Sequence, residues 1–247
     1  YGNSKKIMKE IYSNINIVGG GLIGSITAYA LIKLGYKITI LEKKPPYIKK
    51  KYSDYRTTAI SEGTKNFLNT IGIWPQLKKY SEPINKIEVI NRNLSNKLEF
   101  DNKRRNSNLG YIIKNRDFLS VVYSNLSKKN NFKIYNNIQL CDLQFNKEKI
   151  ISNTSKYNIV SDVIIAADGR QSYIKNFFKT PSYNKDYKKT ALVLTFTHTI
   201  NHHNTAFEFF YPNGPLAILP MKKNNGEFCS SIVWTSDDKY IRKLKNI

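Results

Sequence analysis

The sequence predicts an α/β fold in two parts, a parallel βαβ-based domain followed by a mostly antiparallel sheet. Three observations carry this. The stretch Gly19-Gly20-Gly21-Leu22-Ile23-Gly24 lies between an apolar strand and a helical pattern. A second apolar strand follows and ends in an acid, Glu42, about 20 residues beyond the glycine loop. Beyond Thr180-Pro181 the pattern changes to period-two alternation.

The first strand reads as Ile15-Asn16-Ile17-Val18. Ile26, Ala30, Leu31 and Leu34 then recur at helical spacing until Gly35 stops the helix, and Ile38-Thr39-Ile40-Leu41 forms the second strand. This Rossmann-like order is the one a dinucleotide-binding unit requires. Gly19 permits the tight turn, Gly21 lets a pyrophosphate approach the backbone, and Gly24 lets helix and strand pack closely. The helix N-terminus offers free N–H groups and partial positive charge, and Glu42 is placed to accept from a ribose. The unit alone does not distinguish FAD from NAD.

Lys43 to Tyr55, with Pro45-Pro46, reads as a basic exposed loop. Ser61 caps a helix to about Ile71, with Phe67 and Leu68 on its inner face. Ile84 to Ile90 and Leu98 to Phe100 read as strands of an excursion from the first domain. Asn115 to Leu126 reads as an amphipathic helix with Phe118, Val121, Val122 and Leu126 inward. Strands follow at Phe132–Tyr135 and Ile138–Phe145, a turn at Asn146-Lys147, and a strand at Ile150-Ile151. Asp162 to Ala167 reads as a continuous apolar strand that returns to the parallel sheet. The antiparallel part comprises Ala191–Phe196, Phe207–Tyr211, Leu216–Leu219 and Phe228–Trp234, with one covered face. The expected domains are residues 8–180, with an excursion near 73–101, and 181–247.

A length of 247 residues with 40% apolar content suits a folded globule of one large or two smaller domains. The longest apolar run, Ile15 to Leu34, is broken by glycines, so no transmembrane helix is expected. Tyr1 to Asn14 lacks the apolar core of a signal peptide. The chain begins with Tyr1, and Met8 sits where an initiator would stand, so an upstream read-through or a fragment is the expectation. Cys141 and Cys229 are far apart without metal-ligand spacing and are expected to be reduced and structural. His198, His202 and His203 are expected to be solvated around a strand end, with no metal. The net charge of +22 comes from lysines scattered among Asn, Ile and Tyr, as AT-rich coding would produce. No basic stripe with stacking aromatics emerges, so no nucleic-acid partner is expected. Such a surface favours contact with anionic headgroups of the cytoplasmic leaflet.

Two further motifs bear on the cofactor. Ala166-Ala167-Asp168-Gly169-Arg170-Gln171-Ser172 follows the strand Val163-Ile164-Ile165, where Gly169 allows close approach and Asp168 a polar role near a diphosphate. In Asp54-Tyr55-Arg56-Thr57-Thr58-Ala59-Ile60-Ser61, an arginine before a helix offers a fork for phosphate oxygens. Together with the glycine loop, and in this order, they resemble the FAD-dependent aromatic hydroxylases of the para-hydroxybenzoate hydroxylase type. Leu109–Arg116, Asn213–Met221 and Ser231–Thr235 resemble the ubiquinone-biosynthesis subgroup. The resemblance runs from about residue 13 to 236.

It implies an FAD-binding domain and an antiparallel substrate domain. Gly19, Gly21, Gly24 and Glu42 would hold the ADP half of FAD. Arg56 would meet the diphosphate region, and Arg116 would line the FAD side unless it pairs with Asp117. Asp168 and Gly169 would serve the diphosphate and the approach of NAD(P)H. The implied activity is hydroxylation of a polyprenylated phenol or quinone precursor with NAD(P)H and O2. The cofactor would carry the chemistry, so no catalytic residue is named. Cytoplasmic location, peripheral membrane contact and other ubiquinone-biosynthesis proteins as partners are compatible with it. Two rivals stand beside this reading: a superfamily epoxidase or reductase acting on another lipid, and a non-catalytic fragment that binds only nucleotide. The family's later Gly-Asp motif has no match between Pro181 and Ile247. The chain is therefore expected to be C-terminally incomplete and, alone, inactive with little bound flavin.

Overall fold

A computed structural model describes residues 8–44, 54–91, 97–102, 107–146 and 148–244. In chain order the first elements are β1 (Lys9–Val18), α1 (Leu22–Lys33), β2 (Ile38–Glu42), β3 (Thr57–Ser61), α2 (Glu62–Thr70) and α3 (Trp74–Lys78). Next come β4 (Glu82–Ile84), β5 (Lys86–Asn91), β6 (Lys97–Asp101), β7 (Gly110–Lys114), α4 (Asn115–Leu126), β8 (Phe132–Asn136), β9 (Leu140–Phe145) and β10 (Ile150–Thr154). The last are β11 (Tyr157–Ala166), α5 (Tyr173–Phe177), β12 (Lys189–His198), β13 (Thr205–Tyr211), β14 (Gly214–Asn224), β15 (Glu227–Asp237) and α6 (Asp238–Leu244). Most of the expected loop at 43–55, the residues before Met8 and Lys147 of the expected turn lie outside the described residues.

Two compact units result: Tyr1–Tyr52 with Leu119–Ser182, and Ser53–Phe118 with Tyr183–Ile247. The segment Ser53–Phe118 is longer than the excursion expected near 73–101, because β3 and β4 both pair with β7.

The first unit is built on a sheet in the order β8-β2-β1-β11-β10-β9. β8, β2, β1 and β11 run parallel, whereas β10 and β9 join antiparallel. Ile15 lies opposite Ile38, and Ile17 opposite Ile40. Ile17, Ile38, Ile40 and Leu41 are all fully buried, as continuous apolar strands of a parallel sheet should be. The buried stripe of α1 is Gly24, Ser25, Ala28, Tyr29 and Ile32. Leu34, grouped with the helical apolar positions by spacing, caps the C-terminus and is exposed. Gly35 follows at φ +90°, a left-handed stop that only glycine takes freely.

The second unit holds a sheet in the order β12-β15-β14-β13-β5-β6 and a small sheet β3-β7-β4. Every pairing in the large sheet is antiparallel except β13 with β5. Ile84, Ile112, Ala206, Met221 and Cys229 form one of its buried clusters. Ser61 caps α2 as its sequence implied, its hydroxyl accepting from the Thr64 amide at 3.2 Å. Ser61→Ala is expected to cost about 1 kcal/mol, read as a lower urea midpoint; an unmoved midpoint would deny the cap any role.

Several expectations need correction. Phe67 is 47% exposed while Leu68 is buried; adjacent helical residues point about 100° apart, so one face cannot centre both. The strand expected over Ile84–Ile90 is split at Asn85 between two sheets. Asn204 pins the switch: its side-chain amide donates to Glu82 Oε1 and the Pro83 carbonyl, and its own carbonyl accepts from the Asn85 amide. The strand expected at Ile138 starts at Leu140, since Asn137 turns through φ +57°. β11 begins earlier than Asp162, and its most buried stretch is Ile159 to Ser161, with Val163 exposed. The polar residues Asn158 and Ser161 hid that stretch from an apolar-run reading.

Candidate functional site

The site is assembled at the C-terminal ends of β1, β2 and β11 in the first unit. Gly19 leaves β1 at φ +104°, and its amide donates to the Leu41 carbonyl at 2.8 Å. A Cβ on Gly19 would lie 2.1 Å from the Ala167 carbonyl oxygen. A Cβ on Gly24 would lie 1.9 Å from the Gly19 carbonyl oxygen. The helix therefore seats directly on the loop, as the glycine spacing implied. Gly21 is different. It is the N-cap of α1, at φ −70° and ψ −166°, and a Cβ there would meet nothing within 4 Å.

α1 has no side-chain cap and no acidic residue in its first turn. Its leading amides lack intrahelical acceptors by geometry, and the aligned peptide dipoles add positive potential at that end. An exposed helix N-terminus left uncapped over open space is suited to an anion. This geometry suits FAD, because a diphosphate could approach the backbone at Gly21, where a side chain would block it.

Glu42 ends β2 beside this turn. Its Oε2 accepts from the Gly20 amide at 2.5 Å, and Oε1 accepts from the Lys44 amide at 2.9 Å. Each carboxylate oxygen can accept more than one bond, so Glu42 can brace the loop and still meet a ribose hydroxyl. Tyr123, on α4, donates its hydroxyl to the Gly20 carbonyl at 2.7 Å. Burial, and then the Glu42 charge, push that phenol well above the usual tyrosine range.

Asp168 and Gly169 follow β11 and lie against Gly19, whose hypothetical Cβ would be 2.8 Å from the Asp168 amide nitrogen. Asp168 Oδ2 accepts from the Tyr173 amide at 2.7 Å and the Ile174 amide at 3.3 Å. The carboxylate thus supports the entry to α5, and Gly169 passes through φ +82° with open space at its Cβ position.

Arg56 and Arg116 belong to the second unit, where they stand at one end of the β3–β7 pair. The Asn115 amide donates to the Arg56 carbonyl at 3.0 Å, and Thr58 Oγ1 donates to Asn115 Oδ1 at 2.6 Å. Arg56 grips Asp54 with a two-pronged contact, Nε to Oδ1 and Nη2 to Oδ2, both 2.8 Å. Burial alone would raise the Asp54 pKa; the Arg56 hydrogen bonds and charge outweigh it and hold the carboxyl below its usual range. Arg116 Nε approaches Asp117 Oδ1 at 3.4 Å.

The histidines are less solvated than expected. His198 lies between the Ile200 carbonyl and Ser230 Oγ, and His202 between the Met221 carbonyl and the Asn204 amide. Both pack on Phe228, whose ring anchors them; His203 is exposed. Among the described residues no group of three His, Cys, Asp or Glu could hold a metal. Cys229 is buried, but Cys141 is exposed and so does not fill the structural role expected of it. Sequence reading assigned Gly20 and Tyr123 no role at the loop, although they bond to each other there. Tyr123 had a signal, since Leu119, Val122, Tyr123 and Leu126 form one helical stripe. Gly20 had none beyond its neighbours.

The family model described as FAD binding domain matches residues 12–242. The ubiquinone hydroxylase UbiL of Rhodospirillum rubrum is 29% identical over 225 residues, covering 90% of this chain and 52% of that protein. The 3-demethoxyubiquinol 3-hydroxylase of Escherichia coli is 21% identical, covering 95% and 60%. The chain thus spans about half the length of the curated relatives it matches. The fold is shared with p-nitrophenol 4-monooxygenase PnpA of Pseudomonas putida, at TM-score 0.79 and 17% identity, over 96% of this chain and 61% of that one.

Proposed function

The chain belongs to the FAD-binding-domain family, and on that premise we propose that it is the cofactor-binding part of a ubiquinone-biosynthesis hydroxylase. The protein it belongs to would use NAD(P)H and O2 to hydroxylate a polyprenylated phenol or quinone precursor. The names of its relatives support the substrate class. The observation that carries the cofactor reading is the uncapped N-terminus of α1, open above Gly21.

In this reading the α1 amides from Gly21 to Gly24 face the diphosphate, and Gly19 and Gly24 keep helix and strand close enough to present them. Glu42 accepts from the adenosine ribose. Asp168 and Gly169 hold the turn after β11 against the same loop. Arg56 and Arg116 are further candidate contacts to FAD, Arg56 with its guanidinium already oriented by Asp54. FAD, when bound, supplies the two-electron chemistry and the reaction with O2 that no protein side chain provides. The antiparallel sheet of the second unit would serve the substrate. Among the described residues no helix is long and apolar enough to cross a membrane. The excess of lysine favours peripheral contact with anionic lipid, where a lipid-tailed substrate would be met.

The test is titration with ADP. The parent chain is expected to bind it, and Arg56→Ala to bind about 10- to 100-fold more weakly, as loss of a charge-assisted hydrogen bond implies. A folded parent that does not bind ADP would refute the cofactor reading, and an unchanged affinity would remove Arg56 from the site.

A further inference from the structure

We propose that Tyr123 is a positioning residue that aims the Gly21 amide at the ligand by holding the neighbouring carbonyl inward. This rests on the reading of the Gly19–Gly24 loop as the diphosphate site.

Both polar atoms of Gly20 are gripped. Glu42 Oε2 takes its N–H, and the Tyr123 hydroxyl donates to its carbonyl at 2.7 Å. That carbonyl belongs to the same peptide unit as the Gly21 N–H. No peptide bond among the described residues is cis, and in a planar trans peptide the C=O and N–H point in opposite directions. Drawing the Gly20 oxygen towards α4 therefore turns the Gly21 hydrogen the other way. Gly21 itself is exposed, and no heavy atom lies within 4 Å of its Cβ position. Glycine on both sides of this peptide leaves it free to rotate unless something fixes it. Tyr123 is the fixing group.

The grip also explains the glycine at position 20. A Cβ there would lie 2.5 Å from the Tyr123 hydroxyl, which would have to move, and 3.1 Å from Glu42 Oε2, which would be crowded. The Tyr123 ring is itself 3% exposed and packs on Phe132 at 6.4 Å between centroids. Ring packing is thus separable from the hydroxyl: Tyr123→Phe keeps the first and removes the second.

The experiment uses the whole chain, with ADP as probe, and follows the Gly21 amide by 15N NMR. Tyr123→Phe is expected to weaken ADP binding about five- to tenfold, in line with one lost hydrogen bond. It is also expected to broaden or split the Gly21 amide resonance in the ligand-free protein. A lower melting temperature with unchanged ADP affinity and an unchanged Gly21 resonance would mean that the hydroxyl is only structural, which overturns the proposal. Hydrogen exchange in the parent reads the geometry directly: a protected Gly20 amide with a freely exchanging Gly21 amide is expected. A protected Gly21 amide overturns the proposal, even if Tyr123→Phe fails to fold. If the parent binds no ADP, the diphosphate reading fails, while the resonance and exchange data still decide whether Tyr123 orients the peptide.

Discussion

Gly21→Val is expected to reduce ADP binding by more than about 100-fold while leaving the protein folded. The backbone at Gly21 sits at φ −70°, where an L-residue is not strained by φ. Nothing within 4 Å opposes a Cβ, so the free protein has room for it. The cost to the fold is the poorer cap, since valine replaces glycine at an N-cap, about 0.5–1 kcal/mol. The cost to the ligand is larger, because the new methyl groups stand where phosphate oxygens must approach the α1 amides. Calorimetric titration with ADP beside far-UV circular dichroism separates the two effects. Parent-like affinity in a folded variant would move the diphosphate away from this turn.

Gly24→Ala should do the reverse and break the support. In an ordinary helix interior this change stabilises by about 1 kcal/mol. Here the added carbon would lie 1.9 Å from the Gly19 carbonyl oxygen and 3.3 Å from the Ala167 Cβ. The first neighbour is backbone, itself fixed at φ +104° between β1 and the turn, so it cannot swing aside. α1 would have to lift off β1 and β11 and loosen the packing of Ala28 and Ile32, which are buried on the same stripe. Overpacking of this kind costs about 3 kcal/mol. A clear drop in the urea midpoint is expected, and an unchanged or raised midpoint would mean that helix and loop are not in close contact. Two glycines three residues apart thus have separable roles, one kept for the ligand and one for the fold.

The loop was legible because its chemistry is local. The order strand, Gly19–Gly24, helix, strand and Glu42 is written in consecutive residues, and the structure keeps that order. Ser61 was legible for the same reason, since a cap and its helix are neighbours. Pairing between distant segments was less readable. Asn204 splits β4 from β5 by reaching Glu82 and Pro83 from more than 100 residues away, and no pattern near Ile84 announces it. β11 misled through its polar residues, because Ser161 is fully buried, paired with the buried Ser13 of β1. The phenol of Tyr123 is the instructive omission. Its burial follows from helical spacing, but its bond to Gly20 joins α4 to a loop that lies far from it in sequence.

In the proposed function, the amides at the start of α1 bind the diphosphate of an adenine dinucleotide. The most direct measurement is a crystal structure of the chain soaked with ADP. Diphosphate oxygens are expected within hydrogen-bonding distance of the Gly21 and Leu22 amides, with the ribose against Glu42. ADP bound elsewhere, with the turn from Gly19 to Gly24 left open, would contradict it.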